Sequence, residues 1–365
     1  MKNYKISDLT EKIIDNRGKT PPLSLYGHRL LEINSIVGIN RYPNYSIVSK
    51  FVDEDTFETW FRSGHPKIND VLASTVGTIG KFALVNKEDI CIAQNLVAFR
   101  FNSKTVPKYL FYALTSPSNQ HKILNLDIGG VQPNLKIPHL LNYEITVHDY
   151  VEQQHIVNIL GSIDEKIENN EQKIAKIKEL MLSIFKDFQN RISNQEPVQL
   201  GEYISFIKGR KPSDSREHLL PYLTIDGMNT NNYECVCSDK MILANEDDIL
   251  MVMDGASSGT IYSGHDGIVG STLAKLDCSQ TEILPLIEQR LIQMQEKIKE
   301  LNTGSAIPHA NKEFIQSITI LLSNDEYQHN VIKQLNILKQ EILTCRKSNI
   351  KLNKLKNLYL KKFFG

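Results

Sequence analysis

No run of roughly 18 apolar residues occurs in the sequence, so it offers no membrane-spanning helix. The opening Met1-Lys2-Asn3-Tyr4 lacks the apolar core of a secretory signal. Cysteines are few, odd in number and scattered: Cys91, Cys235, Cys237, Cys278 and Cys345. That usage fits reduced thiols in a cytoplasm rather than a disulfide framework. Cys235 and Cys237 lie too close together for a zinc pair, and no second pair accompanies them. An excess of charge is missing too: 42 basic residues balance 42 acidic ones, which does not advertise nucleic-acid binding.

Catalytic motifs are also missing. Gly18-Lys19-Thr20 looks like the tail of a phosphate-binding loop, but the first glycine of that motif would fall on Ile13. There is no Gly-x-Gly-x-x-Gly dinucleotide fingerprint. Thr20-Pro21-Pro22-Leu23 departs at two places from the Asn/Asp-Pro-Pro-aromatic segment of amino-methyltransferases. No acidic cluster with a nearby lysine suggests a nuclease, and His28, His65, His155 and His309 stand in unrelated contexts. These gaps exclude the common enzyme classes and predict a binding protein, with no catalytic residue and no metal site.

What the sequence does contain is a seam. Ile156, Leu160, Ile163, Ile167, Asn170, Ile174, Ile177, Met181, Ile184 and Phe188 follow one another in alternating steps of four and three. That spacing predicts a long helix packed along its length against another. Roughly 38 residues at 1.5 Å each give a rod of about 57 Å. The lone polar member, Asn170, is of the kind that sets register at a cost in stability. Val331, Leu335, Leu338, Ile342, Cys345, Asn349 and Leu352 repeat the steps near the end of the chain, drifting towards Leu355, Tyr359 and Phe363. Both helices open alike, Glu152-Gln153-Gln154-His155 against Glu326-Tyr327-Gln328-His329. The sequence therefore predicts an antiparallel pair in which Asn170 lies near Cys345 or Asn349.

The stretches before the two helices also echo each other, which points to an internal duplication. An apolar strand and basic turn at Ile13–Pro21 returns at Ile204–Pro212. A short strand at Leu30–Asn34 returns at Tyr222–Asp226. Asn69–Gly80 aligns with Asp247–Gly259, each a buried strand running into a glycine- and hydroxyl-rich turn. Single strands are expected at Ile92–Phe101 and Ile268–Leu276, opening with the polar pairs Gln94-Asn95 and Ser271-Thr272. A helix follows in each, with Pro117 expected to close the first. Glycine-proline loops come next, Gly129–Asn134 and Gly304–His309. The fold class is therefore α+β, a pseudo-two-fold repeat of two similar globular domains separated by two long antiparallel coiled-coil helices. The segments are 1–149, 150–195, 196–322 and 323–365. Net charges differ along the chain: about +3 over 1–150, −2 over 151–196, −7 over 197–323 and +6 over 324–365.

This order of parts resembles the specificity (S) subunit of type I restriction-modification systems, over the whole chain. The resemblance rests on the doubled globule and helix, the Gln-Gln-His and Tyr-Gln-His helix openings, the Gly304–His309 loop and the paired strands Asp70–Leu72 and Asp248–Leu250. It implies that each globule is a target-recognition domain reading one half of a bipartite double-stranded DNA target. It implies that the helices are spacers docking two modification (methyltransferase) subunits, joined by restriction (translocase-nuclease) subunits. S-adenosylmethionine, ATP and magnesium would then sit on those partners and none in this chain.

Bases are read by side chains on loops held by a rigid scaffold. Candidates for such contacts are Arg17, Lys19, Thr75, Gln94, Asn95, Gln132, Asn134 and Lys136 in the first globule. In the second they are Arg210, Lys211, Ser257, Ser258, Ser271, Thr272, His309, Asn311 and Lys312. Because phosphate contacts dominate affinity, the acidic second globule suggests that partner subunits supply most of the phosphate grip. Two other readings stay open: a specificity module serving a different methyltransferase-nuclease, and a coiled-coil scaffold that does not bind DNA.

Overall fold

A computed structural model describes residues 1–16, 18, 20–38, 41–126, 134–212, 218–304 and 308–365. The chain divides into two compact units, Met1–Asn169 with Lys351–Gly365, and Asn170–Ile350. Two long helices, Tyr150–Arg191 and Glu326–Phe364, each contribute to both units.

Unit 1 begins with β1 (Lys2–Lys5) and β2 (Thr10–Ile14), followed by β3 (His28–Leu31), β4 (Phe51–Val52), β5 (Val71–Ser74) and β6 (Phe82–Leu84). It continues with β7 (Ile90–Ile92), β8 (Leu96–Phe101) and β9 (Glu144–Val147). An antiparallel sheet has the order β2-β8-β5-β6, a smaller mixed sheet has the order β4-β3-β7, and β1 pairs with β9. β3 and β7 run parallel, Leu30 beside Cys91.

Unit 2 holds β10 (Val198–Gln199), β11 (Ile204–Lys208), β12 (Leu219–Leu223), β13 (Cys235–Cys237) and β14 (Leu243–Ala244). After these come β15 (Ile249–Val252), β16 (Ile261–Ser263), β17 (Gly267–Val269), β18 (Leu273–Cys278) and β19 (Thr319–Ile320). Its sheets read β11-β18-β15-β16 and β13-β12-β17-β14, with β10 on β19. Once more the second sheet contains one parallel pair, β12 with β17. The two units thus share a strand order that repeats down to which pair is parallel, except that unit 2 adds β14 beside β17.

The expected single strands at Ile92–Phe101 and Ile268–Leu276 are each two strands in different sheets. β7 and β17 lie in the mixed sheets, β8 and β18 in the antiparallel ones. A tight turn makes the switch, with Leu96 N donating to Ala93 O at 3.0 Å and Leu273 N to Gly270 O at 2.9 Å. The polar pairs Gln94-Asn95 and Ser271-Thr272 occupy that turn because their side chains have no place in an apolar ladder. Pro117 does not close a helix but opens one, Pro117–Leu124, right after helix Pro107–Thr115. Its missing N–H costs nothing in a first turn.

Each core is continuous with its share of the long helices. In unit 1, Ile156, Leu160 and Leu360 join Val71, Phe99, Tyr109 and Tyr112 in one cluster. In unit 2, Ile177, Met181, Phe185, Phe188, Val331, Leu335 and Ile342 join Ile249, Met251, Leu286 and Leu291. The helices run antiparallel in both. Lys356 Nζ meets Asp164 Oδ1 at 2.6 Å in unit 1. Asn170 Nδ2 donates to Asn349 Oδ1 at 2.7 Å in unit 2, which is one of the two neighbours expected for it. The late drift in register differs from expectation, because Leu355 is exposed and Leu360 is buried instead. Lys356 takes the inward position because Asp164, fully buried opposite, attracts it.

Candidate nucleic-acid interface

Three segments meet at one corner of each unit: the turn after β5 or β15, the sheet-switching turn before β8 or β18, and the loop ahead of the last short helix. In unit 1, Thr75 N donates to Asn95 O at 3.0 Å and Leu135 N to Thr75 O at 2.8 Å, while Val76 bridges to Asn134. In unit 2, Met253 N donates to Thr272 O at 2.8 Å and Ala310 N to Met253 O at 2.9 Å, while Asp254 bridges to His309. The backbone bonds correspond one for one. Gly77 and Gly255 turn this corner at φ +80° and +98°, where a Cβ is disfavoured although space is open. At Gly209 the limit is space: a Cβ would sit 2.2 Å from Gly270 O, so only glycine lets this loop lie on the switching turn.

On this shared frame the side chains differ. In unit 1, exposed Gln94 donates to Thr20 Oγ1 at 3.3 Å, and Asn134 and Lys136 are exposed as well. Asn95 is half-buried, and its Oδ1 is enclosed without a hydrogen-bond partner among the described residues. In unit 2, Arg210, Lys211, Thr272, His309 and Lys312 are exposed, and Ser257 and Ser271 are half-buried. Arg210 and Ser271 share one neighbour. Tyr222 Oη donates to Arg210 O at 3.2 Å and accepts from Ser271 N at 2.8 Å. Lys312 Nζ lies 5.6 Å from the Phe206 ring centroid.

Some candidates serve the frame and not the surface. Thr75 is fully buried, and its hydroxyl donates to Asn95 O at 3.3 Å. Ser258 is fully buried as well, with its hydroxyl against the carbonyls of Gly255 and Pro308. A hydroxyl in such a turn satisfies its own backbone more readily than it faces solvent. Asn311 caps helix Lys312–Ser317, accepting from Phe314 N at 3.0 Å. Arg17, Lys19 and Gln132 lie outside the described residues.

Two residues at the corner were not singled out from the sequence. Lys208 Nζ pairs with Asp254 Oδ2 at 2.8 Å, and Asp254 Oδ1 takes His309 Nδ1 at 2.7 Å. Burial pushes the Asp254 carboxyl up, but hydrogen bonds from Lys208 and His309 outweigh it and hold the group below its ordinary value. An acid inside a hydroxyl-rich turn was a usable signal for Asp254. Lys208 opens the basic turn already noted, and strand pairing opposite Ala274 brings it to the corner.

Along the helices, Ile156, Leu160, Ile163, Ile167, Asn170, Ile177, Met181, Val331, Leu335, Ile342, Cys345 and Asn349 are buried. Ile174, Leu338 and Leu352 are half-buried. Fully buried Phe185 was not in the expected seam. It sits one step off the seam and faces the unit 2 core rather than a partner helix alone.

Chemically, the corners offer amides, an imidazole and cations on rigid turns. Such groups suit base edges and phosphates. Among the described residues no group of histidine, cysteine, aspartate and glutamate could hold a metal ion, and no helix is long and apolar enough to cross a membrane.

The family model for the type I restriction modification DNA specificity domain matches residues 1–179. The type I restriction enzyme MjaVIII specificity subunit of Methanocaldococcus jannaschii is 33% identical over 178 residues, which is 46% of this chain and 41% of that protein. The match therefore spans less than half of that relative's length. The crystal structure of the type I restriction-modification system S subunit from M. genitalium aligns with 100% of this chain and 96% of its own at TM-score 0.58 and 21% identity, a likeness of fold.

Proposed function

We propose that the chain is the DNA-reading subunit of a type I restriction-modification complex, a reading supported by the match of residues 1–179 to the type I restriction modification DNA specificity domain. The observation that carries this reading is the doubled corner: two units with the same backbone frame and different exposed side chains. A duplicated frame with divergent side chains is what reading two unlike half-sites requires. Segments 1–149 and 196–322 are the target-recognition domains, and 150–195 and 323–365 are the spacer helices.

The chain binds a bipartite double-stranded DNA target in the cytoplasm and docks two methyltransferase subunits, through which restriction subunits join. It performs no chemistry itself. S-adenosylmethionine, ATP and magnesium belong to the partners. Methylome sequencing of cells carrying the chain with its methyltransferase tests this. The expected result is one methylated motif in two parts with a fixed gap, absent when the chain is deleted. Methylation that is unchanged by the deletion overturns the reading.

A further inference from the structure

The corner of unit 2 carries a linked trio that unit 1 lacks. β11 ends at Lys208, paired opposite Ala274. Ile14 opposite Ala98 in unit 1 corresponds to Ile207 opposite Lys275 in unit 2. Asp15, Val76 and Asn134 therefore stand where unit 2 has Lys208, Asp254 and His309. The frame is common, and the trio is specific to one unit.

The His309 side chain is not needed to hold its own loop. His309 N donates to Thr303 O at 2.7 Å, Thr303 N to His309 O at 2.9 Å, and Ala310 N to Met253 O at 2.9 Å. The described part of the loop is thus held by backbone bonds and by the Ser258 hydroxyl on Pro308 O, without the imidazole, as its counterpart at Asn134 and Leu135 is by Leu135 N. The His309 side chain is 52% exposed, so the bond to Asp254 does not serve to bury it. What the bond does is set the ring. An ionised carboxylate only accepts, so Nδ1 of His309 must donate to it. In the neutral ring Nε2 is then an acceptor. Lys208 clamps the other carboxylate oxygen and keeps Asp254 from rotating away.

An acceptor presented in the major groove is matched by the amino group of adenine at N6 or of cytosine at N4. Lys208 reaches the ring through Asp254, and Arg210 and Lys211 follow Lys208 in sequence while Lys312 follows His309, all three exposed as phosphate-facing groups would be.

Building on the reading of the chain as a DNA specificity subunit, we propose that His309 is a specificity-determining residue of unit 2. Its Nε2 accepts a hydrogen bond from the exocyclic amino group of one adenine or cytosine in the half-site that unit 2 reads. Asp254 is a positioning residue that fixes the tautomer, and Lys208 holds Asp254.

The test uses the complex of the chain with its methyltransferase subunits, binding duplexes in which each base pair of the methylated motif is varied. His309→Ala is expected to lose discrimination at one base pair of one half, with cognate binding weakened about tenfold, the worth of one good hydrogen bond. Preferences in the other half stay unchanged. Asp254→Asn relaxes the same base pair to a smaller degree. Replacing that adenine by purine, or that cytosine by 2-pyrimidinone, weakens the wild type by a similar factor and leaves His309→Ala unaffected. Unchanged preferences at every position overturn the proposal. So does a uniform loss across all sequences: with melting unaltered it marks a phosphate contact, and with melting lowered it marks a structural prop. If the wild-type complex shows no two-part motif at all, the reading of the chain fails instead, and the two failures are distinct.

Discussion

At the scale of single residues, burial turns ordinary side chains into liabilities that must be matched. Asp164 is fully buried and is held by Lys356 at 2.6 Å and by the Tyr112 hydroxyl at 2.7 Å. Lys356→Met strips the charge partner from a carboxylate cut off from water, and should destabilise unit 1 by about 3 kcal/mol in denaturant titrations. A loss as small as that of a surface ion pair would contradict this account. His265 raises the opposite issue. Burial, reinforced by the charges of Arg346 and Lys178, lowers its pKa from 6.5 to about 4. The folded protein keeps it neutral, while the unfolded chain binds the proton first as pH falls. The stabilisation is therefore complete above about pH 6.5 and is lost as pH drops towards 4, on the order of 3 kcal/mol in all. His265→Asn should flatten the dependence of the urea midpoint on pH across that window. Parallel curves for variant and wild type would count against it.

At the scale of elements, the long helices are set by their seam, and the polar break in that seam is a pair. Asn170 alone suggests that an apolar replacement would stabilise the rod. With Asn349 Oδ1 accepting from it at 2.7 Å in a buried setting, Asn170→Leu instead removes a donor and leaves the opposing amide in the seam. The single variant should lose roughly 1–3 kcal/mol. Asn170→Leu with Asn349→Leu should melt above wild type while allowing the register to slip, because two leucines match many alignments equally well. Thermal melts of the three proteins check the order, and a stabilised single variant would refute the pairing argument. The sheet-switching turns belong to this scale as well. They convert one apolar stretch into two strands of different sheets and so bring Gln94-Asn95 and Ser271-Thr272 to the corner.

At the scale of the whole molecule, balanced charge limits what the chain does by itself. Its net charge is zero, and the segment 197–323 is acidic. Unit 2 nevertheless carries Lys208 at its corner, with exposed Arg210 and Lys211 following Lys208 in sequence and exposed Lys312 following His309. That small cationic group can orient DNA but cannot neutralise many phosphates. The purified chain should bind its target well short of nanomolar affinity in physiological salt, with a shallow dependence on salt concentration. The complex with methyltransferase should bind tightly and steeply. Nanomolar binding by the chain alone, read by fluorescence anisotropy across a salt series, would sink this division of labour.

The sequence by itself determined the periodic and the repeated: the helical seam, the two-fold echo of strands and turns, and an antiparallel pairing that sets Asn170 near Cys345 or Asn349, between which the structure chose Asn349. Those features are local or self-similar, so spacing carries them. Tertiary structure alone decided which polar residues face outward. Thr75 and Ser258 look like recognition residues in a turn, yet the loop folded over each one buries its hydroxyl on a backbone carbonyl. Lys208, Asp254 and His309 are far apart in sequence and become neighbours only through strand pairing and loop closure. A side chain's exposure depends on contacts made across such distances, and residue spacing along the chain does not record them.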